Sequence, residues 1–416
     1  MKTDKGIGRS TLQELCILHV TPYSGDAWAY GGIPRLSHAM ARSLAERGHR
    51  VTICTTDACD AEHRLSPPDG GSRFGAWRPV EASERVTVRV FPNVSNRLAY
   101  HQQAFAPIGM RRFLRTHARS FDVAHLHACR NLPGVLAARW LRKTGVPYVL
   151  APNGTAPLIE RRRLAKRIFD LAWGNAVTRH AHRILAVTEA ERRQLHEAGV
   201  EDFRIRLVAN PIDLDEFSTP LAPGAFKARH GLSGPLVVYL GKITPRKRVD
   251  MLVRAFAQLH APSATLVIAG NDMGAEASAR AAAEATGVTG RTRFVGLLQG
   301  AARLELLADA DVVVYPSEHE IFGLVPLEAL LVGTPVVVSD DSGCAEVVRQ
   351  VGGGLVVPGR ETDLARAIDT VLERPAEWQA AARSAGDGVR VRFGAETIGA
   401  RLEELYGEMM RTPCPH

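Results

Sequence analysis

The stretch from residue 311 to 339 restricts the possible folds of this chain more than any other feature. DVVVY (311–315) and PVVVS (335–339) are short runs rich in β-branched residues, and they predict two buried strands. Between them come a polar loop, Gly323 and a helical pattern that ends at Gly333. A strand, a helix and a second strand in this order form a βαβ unit, which requires a parallel sheet with helices packed on it.

The same alternation runs through the rest of the chain in two halves, which a Pro-, Gly- and Ala-rich linker at 213–235 separates. We therefore predict an α/β protein of two Rossmann-like, doubly wound domains that face each other across a cleft. The predicted domains are 1–217, 218–390 and a C-terminal helix, 391–416, that packs back on the first domain. The predicted strands are 15–20, 50–56, 85–91, 122–127, 147–152, 183–188 and 205–210 in the first half, and 235–241, 264–270, 292–296, 311–316, 335–339 and 354–358 in the second.

Two carboxylates flank the start of the helix in the 311–339 unit. Glu320 falls in the loop at the carboxyl end of a strand, and Glu328 falls in the second turn of the helix. Ligands of open α/β sheets bind at that edge, where Gly323 allows close approach and the N–H groups of Leu324 and Val325 suit a diphosphate. Because a carboxylate can accept two hydroxyl groups, the pattern suits a nucleotide-sugar, with a diphosphate between two diols. The alternative is a solvated loop glutamate and a salt-bridged helix glutamate.

A basic segment, GKITPRKRVDML (241–252), follows a predicted strand that ends at the same edge. Lys242 and Lys247 would meet a diphosphate leaving group, whose bridging oxygen gains negative charge as its bond to the sugar breaks. The alternative is a solvated basic turn. Gly31 and Gly32 precede a helix in the first half and suit a phosphate in the same way, with packing of a flexible loop as an equal alternative.

Two histidines, His125 and His127, end the fourth predicted strand. Strand alternation puts both side chains on one side, and His127, nearer the carboxyl end, is expected to reach the cleft. A hydrogen-bonded packing role is the alternative. Neither HExxH nor a Cys-His pattern is present, so the sequence predicts no metal site. Asp213 and Asp215 mimic a metal-binding DxD, but they follow Asn-Pro in the hinge and are interpreted as turn and cap residues.

Charge and hydropathy narrow the class of partner. The formal net charge is +8 and the pI is about 9.4, which favours anionic ligands. Aromatic content is 6%, and finger spacing is absent, so no nucleic acid is expected as a partner. No apolar run approaches the roughly 20 residues of a membrane-spanning helix, and the first residues lack the apolar segment of a secretory signal. A cytoplasmic protein is therefore expected.

The string PSEHEIFGLVPLEALLVGTPVVVSDDSGCAEVV (316–348) resembles the C-terminal signature of the group 1 glycosyltransferases, a family of retaining, nucleotide-sugar-dependent enzymes with the GT-B fold. That signature has two Glu separated by seven residues, FG after the first Glu, and G-x-P-V-V downstream. The resemblance covers nearly the whole chain and is most specific at 236–360. Further matching segments are GGI (31–33), DVAHLH (122–127), TEAE (188–191), NPIDLDEF (210–217), GKITPRK (241–247), IAG (268–270), FVG (294–296) and GLVVPGR (354–360).

The resemblance implies a role for each matching residue. Glu328 would hold the ribose diol, Glu320 the transferred sugar, and the two lysines the diphosphate. The implied catalytic residues are Glu320, His127 and Lys247, and the implied donor-binding residues are Glu328, Lys242, Lys247, Gly32, Phe322, Gly323 and Leu324. Two departures concern detail. The family commonly has Arg where Lys242 stands, and a lysine cannot make the two parallel hydrogen bonds that a guanidinium makes to a phosphate. It also commonly has Asn-Gly where Asn210-Pro211 stands.

These features together predict a retaining glycosyltransferase that moves a sugar from a nucleoside-diphosphate-sugar to a hydroxyl acceptor, in cell-surface polysaccharide or glycolipid synthesis. We expect neither a metal nor a cofactor. The alternatives are transfer to a soluble small-molecule acceptor, a nucleotide-sugar epimerase or a phosphorylase of similar fold, and a non-enzymatic subunit that binds a sugar nucleotide. An epimerase would convert the donor without an acceptor.

The segment IERRRLAKRIFDLAW (159–173) adds an expectation about the acceptor. On a helix, Arg161, Arg162, Arg163, Lys166 and Arg167 cover one side, while Leu164, Ile168, Leu171 and Ala172 line another. A basic amphipathic helix can lie on an acidic bilayer, which would place the protein at the inner face of the cytoplasmic membrane with a lipid-linked acceptor. The alternative is a surface helix whose apolar side packs on the core and whose cations are solvated.

Overall fold

The structure is a computed structural model and describes residues 13–25, 27–30, 32–65, 75–77, 85–156 and 163–411. The chain forms two compact units. The first contains the chain up to Ala186, Leu195–Pro211 and the segment from Ala395 onward; the second contains Val187–Gln194 and Ile212–Gly394. The predicted borders at 217 and 390 differ from this division by a few residues, and the excursion at 187–194 was not predicted.

The first unit is built on one sheet with the strand order β3-β4-β2-β1-β5-β6-β7-β8. Neighbouring strands are parallel, apart from the antiparallel pair β3 and β4. All the strands predicted for this half form, whereas β3 carried no sequence prediction. The strands are β1 Cys16–Val20, β2 Arg50–Thr56, β3 Gly75–Trp77, β4 Val86–Phe91, β5 Val123–His127, β6 Tyr148–Ala151, β7 Arg183–Ala186 and β8 Ile205–Leu207.

Helices cover both faces of this sheet, as neighbouring residues of β1 show. Ile17 faces a core cluster with Leu44 of α1, and Leu18 faces a second cluster with Leu114 of α3 and Leu141 of α4, because successive side chains of a strand point to opposite faces. The predicted doubly wound arrangement is therefore confirmed for this unit. The helices up to residue 197 are α1 Gly32–Glu46, α2 Asn96–Gln102, α3 Met110–His117, α4 Leu132–Thr144, α5 Arg163–Phe169, α6 Asn175–His180 and α7 Glu189–Glu197.

The second unit contains a fully parallel sheet with the order β11-β10-β9-β12-β13-β14. Its strands are β9 Leu236–Leu240, β10 Thr265–Ala269, β11 Thr292–Gly296, β12 Val312–Tyr315, β13 Val336–Ser339 and β14 Gly354–Val357. Its helices are α8 Ala225–Arg229, α9 Val249–Phe256, α10 Glu276–Ala285, α11 Gly300–Asp309, α12 Leu324–Leu331, α13 Gly343–Val351, α14 Glu361–Glu373 and α15 Pro375–Phe393. Each strand predicted for this half is confirmed.

The chain then returns to the first unit through α16, Ala395–Arg411, which packs against α1. Its apolar face is buried at Ile398 and Leu402. Glu403 accepts a hydrogen bond from Nε of Arg47 at 2.6 Å, and the Tyr406 hydroxyl lies 2.8 Å from Nδ1 of His125. The last helix is thus held by apolar burial and by polar contacts to Arg47, directly after α1, and to β5.

Each sheet has one point where the strand order reverses. In the first unit this point lies between β1 and β5, and in the second between β9 and β12. The loops at the carboxyl ends of the two central strands leave in opposite directions there and open a crevice, which is where ligands of such sheets bind. The segment 241–247 follows β9 and Glu320 follows β12, so both motifs singled out in the sequence lie at the reversal point of the second unit.

Candidate active site

Lys247 and Glu320 meet where β9 and β12 end. After β9 the chain turns at Gly241, whose φ is 146°, and forms a short 3-10 turn, Pro245–Lys247, before α9. Nζ of Lys247 donates to Oε2 of Glu320 and to the hydroxyl of Tyr315, the last residue of β12. The same ammonium lies 4.3 Å from the centroid of the Tyr315 ring. Two neighbouring strands therefore position the pair, and a cation–π contact with the Tyr315 ring holds the Lys247 ammonium in place.

The two charges support each other in a largely buried setting. Burial lowers the pKa of Lys247, although the Glu320 carboxylate acts in the opposite direction. Burial also acts to raise the pKa of Glu320, but the charges of Lys247, Arg246 and Lys242 outweigh it and hold this pKa below its ordinary value. A carboxylate that stays ionised and a paired ammonium are thus available at the edge of the crevice.

The loops that carry these residues are tied together by backbone contacts. The N–H of Glu318 donates to the carbonyl of Arg246 at 2.9 Å, and Nη1 of Arg246 donates to the carbonyl of His319 at 3.1 Å. Arg248 forms an ion pair with Glu318 at 2.9 Å. Because hydrogen bonds and an ion pair join the two loops, Lys247 and Glu320 are held in place before any ligand binds.

Glu328 lies in a buried ion cluster. Its side chain is almost fully buried, and Nη1 of Arg303 in α11 donates to its Oε2. Nη2 of the same guanidinium reaches Glu216. The salt bridge that the sequence left open as an alternative for Glu328 is therefore present, and its expected role as a ribose acceptor stays a prediction. This charge-assisted hydrogen bond from Arg303 also restricts the orientation of the Glu328 carboxylate.

Gly323 precedes α12 in a conformation that requires glycine. Its φ is 75°, and a Cβ built on it would lie 2.4 Å from Sγ of Cys344. The helix that starts at Leu324 points its positive end at the loop that carries Glu320. Phe322 is buried, with its ring edge-on to Phe393 at 5.4 Å between centroids, so its side chain serves the core and any ligand contact falls to its backbone.

In the first unit, three histidines form a buried cluster at the reversal point. His125 and His127 lie on one side of β5, as predicted, and their rings stack 4.4 Å apart. His19, which is paired with His125 across β1 and β5, adds a third ring, with Nδ1 3.2 Å from Nε2 of His127. Burial lowers the pKa of all three imidazoles, that of His127 to about 3, so they are neutral near pH 7.

The structure corrects the expectation that His127 is accessible. The side chain is fully buried, and the rings of His19 and His125 lie against it. Ring nitrogens of the three residues lie within 4.8 Å of one another, a separation that would suit a metal ion. However, the rings of His125 and His127 are only 5° from parallel. Their in-plane lone pairs run side by side, and this arrangement does not converge on one ion.

Two of the other segments that resemble the family, TEAE (188–191) and NPIDLDEF (210–217), have structural roles. Thr188 donates through its hydroxyl to the carbonyl of Ile321 at 3.0 Å, and Glu346 caps α7 by accepting from the N–H of Glu189 at 3.1 Å. These contacts explain why 187–194 belongs to the second unit. Asp213 accepts from the N–H of Asp215 at 3.3 Å and caps a 3-10 turn, so its interpretation as a turn residue is confirmed.

The remaining predicted residues are placed less completely. Gly32 is the first residue of α1 and is partly exposed, whereas Gly31 lies outside the described residues. Arg161 and Arg162 also lie outside them, as does the side chain of Arg163. Within the described chain, no helix is both long and apolar enough to cross a bilayer.

Sequence reasoning missed His19, Tyr315, Arg246 and Arg303. Tyr315 ends the predicted strand 311–315 and Arg246 directly precedes Lys247, so the sequence could have predicted that both lie in the site. Arg303 and His19 gave none, because they join the site only through sheet pairing and helix packing between distant segments.

Comparison with known proteins gives a consistent result. Residues 225–387 match the family described as glycosyl transferases group 1, and residues 30–216 match glycosyltransferase family 4. A D-inositol 3-phosphate glycosyltransferase of Geodermatophilus obscurus is 32% identical over an alignment of 391 positions, which covers 87% of this chain and 81% of that protein.

Solved structures show the same fold. Sucrose-phosphate synthase from Thermosynechococcus elongatus superposes with a TM-score of 0.73 at 21% identity, over 95% of this chain and 99% of that one. HepE of Anabaena in complex with UDP-glucose gives a TM-score of 0.70 at 21% identity, over 95% of this chain and 100% of that one. Both family matches and the relative from Geodermatophilus obscurus agree with the parallel sheets and with the two glutamates, Glu320 and Glu328. The chain therefore belongs to the group 1 glycosyltransferases and is a glycosyltransferase with the two-domain GT-B fold.

Proposed function

We propose that this enzyme transfers a sugar from a nucleoside-diphosphate-sugar to a hydroxyl acceptor with retention of anomeric configuration. The observation that carries the proposal is the Lys247–Glu320 pair at the reversal point between β9 and β12, beside the N-terminus of α12. A cation and a helix N-terminus suit a diphosphate, and an adjacent carboxylate suits the hydroxyl groups of a sugar.

Each site residue then has a distinct task. Lys242, Lys247 and the first N–H groups of α12, those of Leu324 and Val325, hold the diphosphate. Glu328, oriented by Arg303, accepts hydrogen bonds from the ribose diol, and Glu320 accepts them from the transferred sugar. The backbone around Phe322 and Gly323 lies along the donor. Gly32 belongs next to a phosphate or the acceptor, whereas the fully buried His127 is assigned no contact with the donor sugar.

The proposed reaction proceeds on one face of the sugar. The bond between the anomeric carbon and the phosphate oxygen breaks, and the acceptor oxygen bonds to the same carbon from the side that the diphosphate leaves. The acceptor proton passes to an oxygen of the departing phosphate. Lys247 stabilises this step most strongly when the leaving diphosphate carries its full charge.

The donor site as proposed needs no metal ion. Divalent cations in phosphoryl sites neutralise the diphosphate, and here the lysines and the α12 N-terminus supply positive field at that position. We further propose that the acceptor is lipid-linked, in polysaccharide or glycolipid synthesis, and that the enzyme works at the cytoplasmic face of a membrane. The basic composition of the first unit supports this assignment.

The decisive experiment is a panel of nucleotide-sugars, starting with UDP-glucose because a structural neighbour binds it. A true donor should raise the melting temperature of the protein by mass action. Glu320→Gln should keep donor binding and lose transfer, whereas Glu318→Gln, two residues away and more exposed, should keep both. Wild-type transfer by Glu320→Gln would refute the assignment of this residue.

Two further readings can be separated in the same assay. A nucleotide-sugar epimerase would convert the donor without any acceptor, so donor isomerisation in the absence of acceptor would replace the proposal. Transfer to a small water-soluble alcohol with the same efficiency as to a lipid-linked one would favour the soluble acceptor.

A further inference from the structure

The helix at 163–174 presents aliphatic side chains to solvent. Leu164 is 72% exposed, Ile168 57% and Leu171 80%. The three residues follow the i, i+4, i+7 spacing of one helix face, and we call them the apolar row. The alternative in which this side packs on the core is therefore wrong. Contiguous exposed apolar surface on a folded chain marks an interaction site, because leaving it in water is unfavourable.

The helix is held firmly despite this exposure. Arg130 forms a bidentate ion pair with Asp170, with Nε 2.9 Å from Oδ1, and Asp170 begins a π turn, Asp170–Gly174, between α5 and α6. The same guanidinium donates to the carbonyls of Thr155 and Ala156 at 2.6 and 2.7 Å. Since Arg130 follows β5 and Thr155 follows β6, the helix is anchored at the carboxyl edge of the first sheet. That edge is where this unit would receive a ligand.

The surrounding sequence is strongly cationic. Residues 86–169 hold 15 Lys and Arg against 2 Asp and Glu, a net charge of +13, whereas the other residues hold 37 against 42, a net charge of −5. The whole basic excess of the chain thus lies in this segment. Exposed cations occur on α3 and on α4, which packs against α3 and α6; they include Arg112, Arg115, Arg139, Arg142 and Lys143.

We propose that the apolar row inserts into the surface of a bilayer that contains acidic lipid, while the cations of α3 and α4 contact its headgroups. An exposed aliphatic row in a strongly cationic part of the chain is the combination that amphipathic helices use to lie in a membrane interface. Charge complementarity selects an acidic bilayer over a neutral one. This inference rests on the proposed function, in which a membrane presents the acceptor, and every observation behind it comes from the first unit.

The test is sedimentation of the full chain with vesicles of phosphatidylcholine, alone or mixed with phosphatidylglycerol. Wild type should bind the mixed vesicles and be released by high salt. Leu171→Ser should weaken binding roughly ten-fold, because one buried leucine is lost from the interface. Val391→Ser is the matched control: this valine of α15 is 71% exposed and should leave binding unchanged.

A second pair of variants tests the charge. Each cation near an acidic surface strengthens binding about five-fold, so Arg112→Ser with Arg115→Ser should weaken it roughly 25-fold. Arg293→Ser with Arg349→Ser, two exposed cations of the second unit, should have no effect beyond that of a small change in net charge. Equal binding to neutral and acidic vesicles, or wild-type binding by Leu171→Ser, would overturn the proposal.

Self-association is measured in the same preparations without lipid. A dimer that Leu171→Ser dissociates would assign the apolar row to a second copy of the chain and refute the bilayer as its occupant. Vesicle binding requires neither donor nor acceptor, so it can succeed where every nucleotide-sugar fails, and the two proposals are separable. UDP affinity should be the same in all four variants.

Discussion

Replacing Lys247 by Met tests whether the Lys247 ammonium offsets the cost of burying the Glu320 carboxylate. Methionine keeps the packing on Tyr315 but leaves the Glu320 carboxylate without its main partner. Breaking a buried ion pair by removing one partner costs about 3–5 kcal/mol. We expect the lower end, about 3 kcal/mol, because 18% of the Glu320 side chain is exposed and Arg246 still acts on it. For a domain of this size the melting temperature should fall by about 6–12 °C.

The pH dependence of the variant should have the opposite sign to that of the wild type. In the wild type the pKa of Glu320 lies below its unfolded value, so its stabilisation is present above about pH 4.3 and is lost as the pH falls through the folded pKa. Without Lys247, burial raises this pKa above the unfolded value. The variant should therefore lose stability as the pH rises from about 4 to 7, while the wild type does not.

Calorimetric melting of the full chain at both pH values provides the measurement. Lys247→Met with Glu320→Gln should recover most of the loss, since no uncompensated charge remains. Lys227→Met is the control, because its ion pair with Asp311 is about one quarter exposed and should contribute under 1 kcal/mol. A double variant as unstable as the single one, or a loss that does not change with pH, would refute the electrostatic explanation.

Three other outcomes are expected. Glu328→Gln should weaken UDP binding in calorimetry by at least about ten-fold, because hydrogen bonds to a charged acceptor contribute roughly 1.5–3 kcal/mol; unchanged affinity would remove it from the ribose site. Transfer should persist in excess chelator, because Lys242 and Lys247 would neutralise the diphosphate in the proposed donor site; loss of activity that magnesium or manganese restores would contradict this. Gly323→Ala should lower stability by about 1–3 kcal/mol, as its Cβ would meet Sγ of Cys344; in chemical denaturation, Cys344→Ala in the same chain should recover part of the loss, and no recovery would exclude the clash.

The sequence determined the fold because the signals for it are local. The runs of β-branched residues, the helix-ending glycines and the spacing between them specify parallel strands with crossover helices, and every strand predicted from them forms. Local order also placed Glu320 after β12 and Lys247 after β9. Because these strands are neighbours at the reversal of strand order, the two side chains meet at one edge of the sheet. The short strand β3 escaped prediction, since three residues carry too little pattern.

Tertiary structure alone decided which side chains became partners and which stayed exposed. Arg303 reaches Glu328 from 25 residues away, and His19 joins His127 from 108 residues away. Likewise, the periodicity of 163–173 predicts an apolar face but not whether something covers it, and only the fold shows Leu171 in solvent. Periodicity is a property of neighbouring residues, whereas ion pairing and burial depend on what distant segments bring to the same place.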